Sequence, residues 1–81
     1  MNIRNIKVKV VKDFFVQDID GNDVWFRKHE ICDFQTFGPA AGWPMIKSNM
    51  DNEYYDVTCH KKDEDSKEWY SEDNEVYLVE V

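Results

Sequence analysis

The sequence predicts a mostly β domain, either a small antiparallel barrel or a bent sheet of about five strands. Three observations carry this expectation. Apolar and polar residues alternate in several short runs, an Asp-Gly turn signal separates two of those runs, and the twelve aromatics of the 81-residue chain supply the bulk that so short a core needs.

The elements follow in chain order. In IRNIKVKVV (3–11) Ile6, Val8 and Val10 alternate with Lys7 and Lys9, the pattern of a half-buried strand with its lysines in water. FFVQDI (14–19) is a second β-rich run. DGND (20–23) is a hairpin turn, and VWFRKHEI (24–31) is the returning strand, with Val24 and Phe26 on one face and Trp25 and Arg27 on the other. The stretch 32–52 reads as a long loop, because Gly38-Pro39 and Trp43-Pro44 restrict the backbone. EYYDVTCHK (53–61) resumes the alternation with Tyr55, Val57 and Cys59 on one face. EVYLVEV (75–81) closes the chain as a strand suited to a central, covered position. Five such strands fit an SH3-like or OB-like barrel, in which closure protects the edges. The alternative is an α+β layer with one short helix, over 29–36 or 63–70.

Residues 1–81 form a single domain. A chain of this length buries only roughly 60% of its unfolded surface, so a roomy enzyme pocket is hard to house and an enzyme is not expected. No Gly-x-Ser-x-Gly, P-loop or dinucleotide-binding glycine pattern is present. The start MNIRNIKVKVV lacks a signal-peptide apolar core, and no apolar run is long enough to span a bilayer. Cys32 and Cys59 are therefore expected as buried thiols of a reduced, cytoplasmic protein. No cofactor or metal is expected either. In Asp18-Ile-Asp20-Gly21-Asn22-Asp23 the glycine is fourth rather than sixth, which fails the calcium-loop spacing. Cys32, Cys59, His29 and His60 lack zinc-knuckle spacing, and neighbours on a strand such as Cys59 and His60 face opposite ways.

Charge is the most informative feature. Residues 1–50 hold seven Lys and Arg against six Asp and Glu, whereas residues 51–81 hold three Lys against eleven Asp and Glu. A nucleic-acid-binding module normally shows the opposite sign. The acidic half instead suits capture of a basic, nucleic-acid-binding protein, with rows of carboxylates standing in for phosphates. The candidate partner-binding residues are Asp51, Glu53, Asp63, Glu64, Asp65, Glu68, Trp69, Tyr70, Glu72 and Asp73, with the two aromatics as apolar anchors among the acids. The bland alternative is a solvated charged loop. A different expectation is a stacking platform for single-stranded nucleic acid, with Trp25 and neighbouring aromatics beside Lys7, Lys9, Arg27 and Lys28.

The hairpin DIDGNDVWFRKHEI (18–31) resembles one found in short proteins of phages and mobile elements, patterned Asp-Gly-x-x-x-Trp-x-x-Lys-x-x-Ile. Asp20, Gly21, Trp25, Lys28 and Ile31 match that pattern, while Arg27 stands where many relatives carry Pro. The likeness covers about 14 of 81 residues and implies a small phage-type β protein, without implying an activity. In size and acidity the chain also looks like phage-encoded anti-CRISPR and anti-restriction DNA mimics. The expected function is thus a small non-enzymatic inhibitor that occupies the basic surface of a host protein in the cytoplasm. A structural or assembly role in a phage is the remaining alternative.

Overall fold

The computed structural model describes residues 3–37, 43–63 and 65–81. Among these residues there are eight strands and no helix: β1 (Arg4–Val10), β2 (Phe14–Gln17), β3 (Asp23–Phe26), β4 (Ile31–Thr36), β5 (Met45–Lys47), β6 (Tyr54–Asp56), β7 (Glu68–Tyr70) and β8 (Val76–Glu80). Six of them form one antiparallel sheet in the order β6-β5-β4-β1-β8-β7, and β2 and β3 form a separate hairpin.

Residues 4–36 build a single two-stranded ribbon that folds over at a corner. β1 pairs with β4 from Arg4↔Thr36 to Lys9↔Ile31, and β2 pairs with β3 from Phe14↔Phe26 to Gln17↔Asp23. Between the two ladders the Val10 amide donates to the Glu30 carbonyl and the His29 amide donates to the Val10 carbonyl, each at 2.8 Å. Side chains take two further amides of the corner: Glu30 accepts from the Arg27 N–H at 2.9 Å and Asp13 from the Lys28 N–H at 2.6 Å. At the tip, one Asp18 carboxylate oxygen accepts from the amides of Asp20 and Asn22, both at 2.9 Å. Gly21 follows with φ +82°, a left-handed conformation that glycine adopts without steric cost.

Period two decides which side chains enter the core. Val8 and Val10 of β1 are buried while Lys7 and Lys9 face water, as the alternation predicts. Cys32 and Phe34 of β4, Ile46 of β5, Trp69 of β7 and Leu78 of β8 join them on the same face. The folded-over hairpin adds Phe14 and Phe26, whose rings stack at 5.1 Å, and Phe14 stacks again on Tyr77 at 5.2 Å. The other face of the six-stranded sheet is left to solvent, which an antiparallel sheet tolerates.

The sheet is curled. Phe34 and Trp69 sit three strand spacings apart, roughly 14 Å in a flat sheet, yet their rings meet edge to face at 5.1 Å. It is not a closed barrel, because β6 and β7 remain edges. The chain between them fills the gap instead: Val57 and Cys59 are buried, and His60 makes a single bridge to Tyr70.

Several expectations change accordingly. The expected loop over 32–52 contains β4 and β5, and its residues 38–42 lie outside the described residues. No helix forms over 29–36, because ICDFQT alternates Cys32 and Phe34 inward against Ile31, Asp33 and Gln35 outward. The stretch 63–70 ends in a strand, β7, rather than a helical turn. Of the run 53–61 only Tyr54–Asp56 is a strand. The closing strand β8 lies between β1 and β7, second from an edge, and β1 and β4 hold the centre.

Candidate functional site

The acidic half of the chain is displayed mainly by two turns of similar construction. Between β5 and β6, buried Ser48 donates its N–H to the Glu53 carbonyl at 2.9 Å, and Asn52 takes a left-handed φ of +61°. Between β7 and β8, buried Ser71 donates to the Glu75 carbonyl at 2.8 Å, and Asn74 takes φ +63°. Asparagine suits such positions because its short polar side chain tolerates the left-handed region. The serine hydroxyls complete the turns: Ser48 Oγ accepts from Met50 N, and Ser71 Oγ accepts from Asp73 N and Glu75 N. With each turn tied inward by a serine, Asp51, Glu53, Glu72, Asp73 and Glu75 are left exposed to solvent.

The register puts both turns at the same rim. Asn49 beside the first turn donates to the Ile31 carbonyl, at the start of β4, and Ile31 sits opposite Lys9 near the end of β1. Val10 pairs with Leu78, near the start of β8 and hence beside the second turn. In the sheet, however, β6 and β7 lie at opposite edges. The acidic residues therefore flank this rim rather than forming one continuous row.

A second acidic group lines the β7 edge. Asp63 accepts from the Asp65 amide at 3.0 Å, and Ser66 Oγ accepts from the Glu68 amide at 3.1 Å. Asp63, Asp65 and Glu68 are exposed, and Glu64 lies outside the described residues. Tyr70 is half-buried on the same outward side of β7 as Glu68, to which its hydroxyl donates at 3.3 Å. Burial, together with the charges of Glu68 and Asp63, raises the Tyr70 hydroxyl pKa.

Among the described residues, Glu75, paired with Lys12, is the single acid from 51 to 75 with a Lys, Arg or His nitrogen within 4 Å. The other described acids of that span have no such nitrogen within that distance.

Trp69 departs from expectation. Rather than standing among the acids as an anchor, it is buried at 8% exposure, packed on Phe34, with its indole N–H donating to Glu80 at 3.1 Å. Pairing with Leu78 turns it to the concave face, and Tyr70 turns outward as its neighbour on the strand. Glu80 is also withdrawn from the acidic surface, since Lys61 Nζ sits 2.6 Å from its carboxylate and Arg4 lies at 3.9 Å.

Asp51 has a structural task as well as a charge. It accepts from the Glu53 amide and from the Tyr55 hydroxyl, and both bonds hold its pKa below the usual carboxylate value. The same contact with Asp51 pushes the Tyr55 hydroxyl up to about 12. Because the folded-state pKa is raised, the contribution of this contact is present below the ordinary tyrosine range and is lost as pH rises through about 12. Ultraviolet titration should therefore show Tyr55 ionising late, alongside the raised Tyr70, and Asp51→Asn should return Tyr55 alone toward the ordinary range. An unchanged titration in that variant would refute the assignment.

The aromatic and basic residues of the other expectation are only partly brought together. Phe15 and Trp25 form an exposed pair on the outer face of the hairpin, with ring centroids 5.0 Å apart, and the Arg27 guanidinium lies 4.6 Å from the Trp25 ring centre. Arg27 is paired with Asp13 at 3.6 Å. Lys7 lies on the open face of the sheet and is paired with Asp33 at 2.9 Å. Phe26 and Phe34 are core residues. The buried thiols are poor nucleophiles, as burial raises the pKa of Cys32 to about 11 and that of Cys59 to about 12.

Sequence reasoning missed Phe15 and Met50, both strongly exposed. Phe15 was legible as the outward neighbour of Phe14, whereas Met50 needed the turn geometry. Comparison with protein-family models, with curated proteins and with solved structures returns no match to this chain.

Proposed function

We propose that this protein is a small non-enzymatic binding protein that occupies the basic surface of a nucleic-acid-binding protein and so inhibits it. The observation that supports this reading is the set of exposed carboxylates from Asp51 to Asp73 that have no cationic partner among the described residues. Keeping them costs folding stability through self-repulsion, and a positive cleft on a partner would relieve that repulsion. Turn-held acids are preorganised, so less freedom is lost on binding than with a mobile acidic tail. The contact residues of this reading are Asp51, Glu53, Asp63, Asp65, Glu68, Tyr70, Glu72 and Asp73. Trp69 no longer belongs to the set. A phage-encoded anti-CRISPR or anti-restriction DNA mimic is the specific form that the sequence resemblance suggests.

A second reading, binding of single-stranded nucleic acid by Trp25, Arg27 and Lys28, draws on the exposed Phe15–Trp25 pair. The carboxylates of Asp13, Asp23 and Glu30 lie on the same ribbon and oppose a phosphate there.

Capture from a bacterial lysate at low and high salt, with mass-spectrometric identification, tests the first reading. The captured protein should be basic and should be released by salt. Lys substitutions at Asp63, Asp65, Glu68, Glu72 and Asp73 should then weaken its binding by roughly tenfold or more, with the circular dichroism spectrum unchanged. Binding indifferent to both salt and reversal would overturn the proposal. A gel shift with labelled single-stranded DNA at low salt would support the second reading instead.

A further inference from the structure

An open cleft of about 530 Å³ lies between β3 and the β5–β6 turn. Its apolar wall is Val24, Trp25 and Met50. Trp25 is 41% exposed and Met50 is 89% exposed, although both are large apolar side chains in a domain that has little apolar area to spare. Asp23, Glu30 and Asp51 also line it. None of these three has a cationic partner within 4 Å among the described residues. The one cation at the cleft, Arg27, is engaged with Asp13 and stacked on the Trp25 ring.

We infer that this cleft receives an arginine side chain of a basic partner protein. Charge complementarity selects the occupant: three unneutralised carboxylates exclude a phosphate or a carboxylate, and the apolar wall disfavours a small hydrated cation. An arginine meets both demands. Its stem packs on Met50 and Val24, and its guanidinium forks onto carboxylates. Arg27 over the Trp25 ring and Phe15 beside it hold the indole in place as a wall of the cleft, and the incoming guanidinium is met by the carboxylates of Asp23, Glu30 and Asp51. The inference rests on the proposed acidic binding surface and gives it an apolar anchor. Trp25 and Met50 take the place vacated by Trp69, beside Asp51 at the rim of the sheet. Aromatic residues in such positions carry a large share of interface energy.

The probe is a short peptide, Gly-Arg-Gly-Arg-Gly, titrated into the isotopically labelled full chain at low salt and followed by NMR. The citrulline peptide, equal in shape and uncharged, is the control. Saturable shifts concentrated on the Trp25 indole N–H and the Met50 methyl, absent with citrulline and about fivefold weaker in Met50→Ser, are the expected result. Met50 is almost fully exposed, so its replacement leaves the fold intact, and the dispersed spectrum verifies this. Shifts spread evenly over Asp63, Glu72 and Asp73, with Met50→Ser indistinguishable from the parent, would overturn the cleft while leaving the acidic-surface reading standing. No saturable shift anywhere would overturn both.

Discussion

Trp69→Ala is expected to destabilise the domain by about 3–5 kcal/mol, the range for removing a large aromatic from a packed core. The indole fills the concave face against Phe34, and its N–H bonds the Glu80 carboxylate. Removing it leaves a cavity that a curled sheet cannot close without flattening. It also strips Glu80 of a donor and Lys61 of the ring 5.3 Å beneath it. Single domains are stable by only about 5–15 kcal/mol, and one of this size sits toward the lower end. A large share of the variant should therefore be unfolded at physiological temperature. Urea unfolding followed by far-ultraviolet circular dichroism reads the difference. Tyr70→Ala, on the outward face of the same strand, should lose well under half as much. If the two variants prove equally stable, Trp69 is not a core residue and its role as a surface anchor would return.

The second large effect belongs to Glu80. Its register opposite Val8 places it on the core side of β8, with its side chain only 13% exposed and that of Lys61 17% exposed. Glu80→Ala leaves the Lys61 ammonium in a poorly hydrated site and the Trp69 N–H without its acceptor. A loss of about 2–3 kcal/mol is expected. Replacing both partners by apolar residues, Lys61→Met with Glu80→Leu, should cost less than Glu80→Ala alone, because no lone charge remains inside. A double-mutant cycle by denaturant unfolding checks this. Additive losses would mean that the pair is solvated and does little for stability.

How much of this could be read from sequence depended on whether a signal was local. β1 was legible because Ile6, Val8 and Val10 alternate with lysines, and the β2–β3 hairpin because Asp20-Gly21 marks its tip. β4 carries the same alternation in ICDFQT, but the nearby Gly38-Pro39 is the stronger local signal and reads as a loop. β5 and β7, three residues each, are too short for any periodicity to stand out and exist because neighbouring strands pair with them. The acidic surface was legible as charge, since exposed carboxylates need no partner to be identified. The direction of Trp69 was not. Glu-Trp-Tyr reads equally well with either aromatic inward, and only pairing with Leu78, far from any local cue, decides between them. Glu80 was hidden for the same reason, because nothing in EVYLVEV reveals an inward carboxylate.

The folded ribbon also favours an order of assembly. Its two strands supply the middle of the six-stranded sheet, β1 and β4, from the first 36 residues alone, and every later strand attaches on one flank or the other. The ribbon can zip from a tight turn on the microsecond scale, with small loops to close at each step. β8 must instead find β1 across some seventy residues of chain, the slow kind of pairing. A nascent chain emerging from the ribosome would thus carry the template for its own sheet before the acidic half is synthesised. The self-repelling segment would then be added last, against a scaffold already able to hold it.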